Sequence, residues 1–302
     1  MTRYFCIFAA LLCLILPLSA SAQVSITDDA GDAITLKVPA ARVISLYGAF
    51  NEIIAAMDLT DRLVARTRAD ELPPEITALP SIGTHMRPNV ELILGLRPDL
   101  VFQMAGRRAA AGEAVAALRA KGITVAVFDI HTFNGLFSAI TRMGVLLGAE
   151  GKAEELISSM QSRLDAVTQA VGTVQHRPSV FFEVRYPNLL AVGRGSMVND
   201  VIRAAAGANC VDSPRKLVRL NEEELLRLDP DVYVVQQGPM NPDPLPPSER
   251  PHFRTLAAVQ SGHIYTVDEQ LFSRPGPRSV DAVEELVAAL YPHLFDNTGE
   301  KP

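Results

Sequence analysis

Tryptophan is absent from the 302 residues, and the aromatic share is 6%. A binding surface built mainly by stacking on a large planar ring is therefore disfavoured. Cysteine is almost as scarce, with three in the chain, and Cys6 and Cys13 lie in an apolar stretch at the start. With that stretch removed, Cys210 alone remains; no internal disulfide can form, and stability must come from packed cores. A basic excess is missing too: 28 Lys and Arg against 34 Asp and Glu give a formal net charge of −6. Nothing in that balance points to nucleic acid or an anionic membrane as partner. Enzyme signatures are mostly absent. There is no H-E-x-x-H, paired C-x-x-C or G-x-S-x-G, and Gly193-Arg194-Gly195-Ser196 lacks the third glycine of a dinucleotide fingerprint. A catalytic role is disfavoured, and no cofactor is expected.

What is present starts with Met1 to Ala22, where Arg3 precedes an apolar run from Tyr4 to Leu18 and then Ala20-Ser21-Ala22. The run is short for a membrane span and carries the flanks of a secretory signal, with cleavage expected before Gln23. Lipidation needs small residues just ahead of a cysteine, and Cys13 follows Leu11-Leu12. The mature chain is thus expected to be exported without a lipid anchor. About 280 residues with nearly half the composition apolar suffice for two lobes of ordinary domain size.

Two stretches echo each other. Residues Val90 to Phe102 read V-E-L-I-L-G-L-R-P-D-L-V-F, and Glu222 to Val234 read E-E-E-L-L-R-L-D-P-D-V-Y-V. They share an acid (Glu91, Glu223), an apolar core, and Pro-Asp ahead of a second apolar run. Each predicts a short helix stopping before proline and then a buried strand. Upstream, Asn51-Glu52 and Asn199-Asp200 each open an apolar helical run. Two echoes in the same order argue for two similarly built halves.

Helices alternate with short apolar strands in both halves, which indicates an α/β fold with mostly parallel sheets. Residues 23–148 form the first lobe, opening on a hairpin around Asp29-Ala30-Gly31-Asp32. Residues 149–172 contain a long amphipathic helix, with Ala153, Leu156, Ile157, Met160, Leu164 and Val167 on one face, read as a spine between the lobes. Residues 173–302 form the second lobe.

Ligands of open α/β sheets bind beyond the carboxyl ends of the strands. The loops there hold Tyr47; Arg66 and Arg68; His85, Met86 and Arg87; Arg107 and Arg108; His131; Arg185 and Tyr186; Arg194; and Phe272, Arg274 and Arg278. Any single loop arginine is more often a solvated or capping residue. As a set in an acidic chain they point to an electropositive cleft whose guanidinium forks suit carboxylate, phosphate or catecholate oxygens. The ligand-binding candidates are Tyr47, His85, Met86, Arg87, Arg107, Arg185, Tyr186 and Arg274. Tyr47 or Tyr186 could touch a metal through its oxygen, or serve as a wall.

Glu52 and Asp200 sit near helix starts, where the helix dipole suffices to place an acid. Being one to each lobe, they also suit docking to a two-fold partner carrying arginines.

Arg42-Val43-Ile44-Ser45-Leu46 with Asn51-Glu52, Val90 to Phe102, Gly193 to Gly207, Gly262-His263-Ile264-Tyr265 and Arg274-Pro275-Gly276-Pro277-Arg278, in that order, resemble the class III substrate-binding proteins of ABC importers for ferric siderophores, cobalamin and haem. The resemblance implies two Rossmann-like lobes bridged by a long helix, with ligand held in the cleft between them and little closure. It further implies a periplasmic monomer that delivers its ligand to a permease dimer and its ATPase, docking through Glu52 and Asp200. Lack of tryptophan disfavours stacking on a corrin or porphyrin face and the arginines favour an anionic ferric chelate; cobalamin, or haem through Tyr47 or Tyr186, is the alternative, and a secreted enzyme on the same fold comes third.

Overall fold

Alternating β-branched residues fold back on themselves first: β1 (Val24–Thr27) and β2 (Ala33–Leu36) pair antiparallel in the computed structural model, which describes residues 23–106, 109–172 and 174–294. Asp28 closes their turn by accepting the Ala30 and Asp32 N–H groups at 3.0 and 2.9 Å.

The first lobe continues with β3 (Val43–Ser45), α1 (Gly48–Ala56), β4 (Leu63–Ala65), the small hairpin β5 (Gly83–Thr84) and β6 (Arg87–Pro88), α2 (Val90–Leu96), β7 (Leu100–Met104), α3 (Ala109–Ala120), β8 (Val125–Phe128) and α4 (Phe133–Leu147). Its main sheet runs β4-β3-β7-β8 and is parallel throughout. Helix α5 (Glu150–Ala170) follows.

The second lobe contains β9 (Ser179–Arg185), β10 (Leu190–Val192), α6 (Met197–Ala204), β11 (Ala208–Asn209), β12 (Leu217–Arg219), α7 (Glu222–Leu228), β13 (Val232–Gln237), α8 (Ala257–Gln260), β14 (Ile264–Asp268), α9 (Glu269–Phe272) and α10 (Ser279–Leu290). Its sheet runs β12-β10-β9-β13-β14, with β11 beside β9. β9, β13 and β14 are parallel, while β10 runs antiparallel to both its neighbours, β9 and β12, because a short turn joins β9 to β10 and so short a link cannot make a parallel crossover.

One apolar cluster runs through both lobes. It takes Phe50 from α1, Met143 from α4, Met160 from α5, Ile202 from α6 and Val283 from α10, together with one face of each sheet. Separate clusters cover the other faces, under α2 and α3 in the first lobe and under α7 and α8 in the second. The close crossing of α4 and α5 depends on Gly144, since a Cβ there would lie 2.6 Å from that of Ala153. Arg163 then ties α5 to α10 through Glu284 at 2.9 Å and Asp281 at 2.6 Å.

The repeated sequence unit folds the same way twice. α2 and α7 start on the side chains of Asn89 and Asn221, and each ends on a left-handed residue before proline, Arg97 (φ 46°) and Asp229 (φ 38°). The Asp after each proline then clamps the neighbouring strand. Asp99 accepts the N–H groups of Ala41 and Arg42 at 2.9 and 2.8 Å, ahead of β3. Asp231 accepts the Ser179 N–H and Oγ–H at 2.7 and 2.8 Å, at the start of β9.

The Ser179 N–H is the main reason the Asp231 carboxyl titrates below its usual range. A carboxyl whose folded pKa is depressed contributes stability that is full above its unfolded pKa of about 3.9 and is lost as pH falls through the folded value. Asp231→Asn is therefore expected to flatten the acid limb of a Tm-against-pH curve below about pH 4. With this side chain 48% exposed, the effect is modest.

Candidate functional site

The carboxyl ends of β3, β4, β9, β13 and β14 turn toward a shared boundary between the lobes. Tyr47 leaves β3 and caps α1, its carbonyl accepting from Ser45 Oγ at 2.6 Å. Its ring meets Phe50 edge-on at 5.7 Å and the exposed His85 at 6.5 Å, so the β5–β6 hairpin brings His85, Met86 and Arg87 beside it. Burial pushes the Tyr47 hydroxyl up to about 12; Arg274 opposes this, while Glu269, Glu52 and Asp70 add to it. At neutral pH this hydroxyl is a proton-bearing donor. Two of the charges that act on it, Arg274 and Glu269, belong to the second lobe.

Arg274 reaches across to the start of α1. A Cβ at Gly48 would lie 2.8 Å from both its Nη1 and Asp70 Oδ1, so a side chain there would push these groups aside. Gly276 similarly faces Ala49, a Cβ there falling 3.3 Å from that of Ala49. Asp70 is buried and accepts from Asn51 Nδ2 at 3.1 Å and the Thr67 N–H at 2.9 Å, while Asn51 Oδ1 is buried with no partner among the described residues.

On the second lobe, Arg185 ends β9 half-buried, its Nε buried and unpartnered. The Tyr186 N–H donates to Asn241 Oδ1 at 3.4 Å, and Asn241 donates to the Gln236 carbonyl at 2.9 Å. Ser273 Oγ donates to Gln236 Oε1, which completes a belt from Arg185 to Arg274 and on to Tyr47 and His85. Among the described residues no carboxylate pairs with Arg87, Arg185 or Arg274. The arrangement can hold an anion between the lobes.

Other loop candidates are occupied elsewhere. Arg66 serves the carbonyls of Thr67, Arg68, Asp70 and Thr77. Arg194 pairs with Asp212 at 2.9 Å and His131 with Asp129 at 2.8 Å, and Phe272 is wholly buried in the core. Arg107 and Arg108 lie outside the described residues. Among the described residues no group of three or more His, Cys, Asp or Glu could hold a metal ion.

The periplasmic binding protein family profile matches residues 43–271. The chain belongs to this family. An uncharacterised ABC transporter substrate-binding lipoprotein, YvrC of Bacillus subtilis, is 30% identical over 90% of this chain and 87% of its own length. A vitamin B12-binding protein of Vibrio cholerae is 26% identical over 83% of this chain and 90% of its own. Among solved structures, the periplasmic heme-binding protein RhuT from Roseiflexus sp. RS-1, in apo form, superposes with a TM-score of 0.72 at 25% identity, covering 84% of this chain and 98% of that one. These findings agree with the resemblance drawn from the motifs: two α/β lobes of the class III kind in a substrate-binding component of an ABC transporter. Among the described residues no helix is long and apolar enough to cross a membrane.

The family frame makes the two acids informative. Glu52 is 10% exposed at its side chain and held by Arg278 of the opposite lobe, Nε to Oε2 at 2.6 Å. Asp200 accepts the Phe133 N–H at 2.8 Å and so caps α4 from across the boundary. Both carboxylates join lobe to lobe, and both residues are half-buried. The acids of the repeat, Glu91 and Glu223, are exposed, each second in its helix after a capping asparagine.

Proposed function

We propose that this binding protein captures an anionic metal chelate, a ferric siderophore or a similar complex, between its lobes and hands it to a permease dimer and its ATPase. The observation that carries the reading is the set of three guanidinium groups, Arg87 on the β5–β6 hairpin, Arg185 at the end of β9 and Arg274 in the loop after α9, without carboxylate partners among the described residues. Their forks match the oxygen donors of such a ligand, and Tyr47 adds a hydroxyl that stays protonated. A second reading, haem, is supported by Tyr47 and His85 facing each other at 6.5 Å, where either could approach iron while arginines pair the propionates.

Export to the periplasm is supported by the apolar run from Tyr4 to Leu18 and the Ala20-Ser21-Ala22 that follows it. As docking acids we propose Glu91 and Glu223, exposed at equivalent helix positions on the two lobes, with Glu52 and Asp200 as the alternative pair.

The deciding experiment titrates the protein with a ferric tricatecholate, haemin and cyanocobalamin in turn, followed by absorbance. Saturable binding of the ferric chelate is expected, with Arg185→Ala and Arg274→Ala each weakening it about tenfold or more, as loss of a charge-assisted hydrogen bond implies. A Soret shift with haemin alone would move the assignment to haem. Saturation by cobalamin alone, or affinity unchanged in both arginine variants, would reject the anionic cleft.

A further inference from the structure

We infer that Arg250, which lies in the interior of the second lobe, is the positioning residue for Tyr186 and makes that ring a fixed wall of the cleft; the inference rests on the binding reading above. Arg250 is wholly buried, the largest side chain so enclosed among the described residues. Its Nη1 donates to Glu183 Oε2 and, at 3.2 Å, to the Tyr233 hydroxyl oxygen. Its Nη2 donates to Glu183 Oε1 at 2.9 Å and to the Leu245 carbonyl at 2.6 Å, and its Nε donates to that same carbonyl at 2.8 Å. A guanidinium has five N–H donors in one plane, and all five are engaged. What remains is the face of the plane, and the Tyr186 ring covers it with 3.9 Å between the guanidinium carbon and the ring centroid.

The in-plane bonds fix the plane, and the plane fixes the ring. Glu183 is on β9 and Tyr233 on β13, so the guanidinium is registered to the two central strands of the sheet. Phe253 meets the Tyr186 ring edge-on at 6.0 Å and limits its remaining freedom. Tyr186 is half-buried and directly follows Arg185, whose unpartnered Nε marks the cleft. The positive charge behind the ring also offsets the negative potential of an aromatic face, which would otherwise repel an anionic ligand. Through the Leu245 carbonyl the same guanidinium holds the loop from Gly238 to Glu249, which carries the exposed Met240 and Leu245. A lysine has neither the fork nor the plane for this task.

Removing Arg250 alone would strand a buried carboxylate, so the test replaces the whole network with apolar side chains, Glu183→Leu/Tyr233→Phe/Arg250→Met. With 3-fluorotyrosine incorporated, the fluorine resonance of Tyr186 is assigned by its loss in Tyr186→Phe. We expect it to move to the position of free fluorotyrosine when the network is replaced, and an unmoved resonance would overturn the inference. Affinity for haemin and for a ferric tricatecholate supplies a second arm. Network replacement should weaken binding about tenfold beside the native Tyr186 and less than about twofold beside Tyr186→Leu, with Tm held within a few degrees. Equal losses in both backgrounds would show that Arg250 acts through the loop or the fold and not through Tyr186. If Arg185→Ala and Arg274→Ala leave affinity unchanged, it is the cleft reading that fails, and the fluorine resonance still decides the role of Arg250.

Discussion

Glu183→Ala is expected to destabilise the protein by about 3–5 kcal/mol, because it leaves the Arg250 guanidinium charged, buried and without its carboxylate. Both side chains of this pair are 0% exposed, so no water replaces the lost partner. The Tyr233 hydroxyl loses its acceptor in the same step, having donated to Glu183 Oε2 at 2.6 Å. Thermal unfolding followed by circular dichroism should show a Tm lower by about 10 °C for a chain of this size. Replacing Glu183, Tyr233 and Arg250 together with apolar residues of similar volume should restore most of it. A Tm within about 2 °C of the parent in Glu183→Ala would mean that the charge finds water or another acceptor, contrary to its complete burial.

Glu91→Ala combined with Glu223→Ala is expected to abolish ligand import while leaving ligand affinity unchanged. Both carboxylates are exposed and stand at the second position of α2 and α7. An arginine on each half of a two-fold permease would find the same acid at the same helix position on each lobe. Uptake in cells carrying the cognate permease, measured beside the Kd of the purified variant, separates delivery from capture. The contrasting variant is Glu52→Gln. It removes the charge that holds Arg278 and should loosen the contact between the lobes, lowering stability more than delivery. Import intact in the Glu91/Glu223 variant and lost in Glu52→Gln would return the docking role to Glu52.

Much of the architecture was legible because its signals are local. The apolar runs at Val43, Leu100, Val180 and Val232 became central strands, and Gly148 ends α4 in the left-handed conformation that glycine adopts readily. Pro-Asp in each repeat correctly placed a helix end, although the turn is made by a left-handed Arg97 or Asp229 and not by extended backbone. The hairpin carrying His85 to Arg87 leaves no signal in the sequence, since β5 and β6 have only two residues each and no periodicity to read.

The candidate site was legible as a list and not as a geometry. Strand order alone put Tyr47, Arg185 and Arg274 at carboxyl ends, which a parallel sheet turns to one side. The sequence by itself therefore determined two α/β lobes, an α5 long enough to run between them, and arginines and tyrosines at the ends of the strands. Which charges are free was decided only by the tertiary structure, because pairing depends on distances between residues far apart in the chain. Glu52 meets Arg278 over 226 positions, Asp200 meets the Phe133 N–H over 67, and Glu183 meets Arg250 over 67. No local pattern encodes such contacts: an arginine in a proline-rich loop reads as solvated, and only the packing of that loop against β9 and β13 buries Arg250 behind Tyr186.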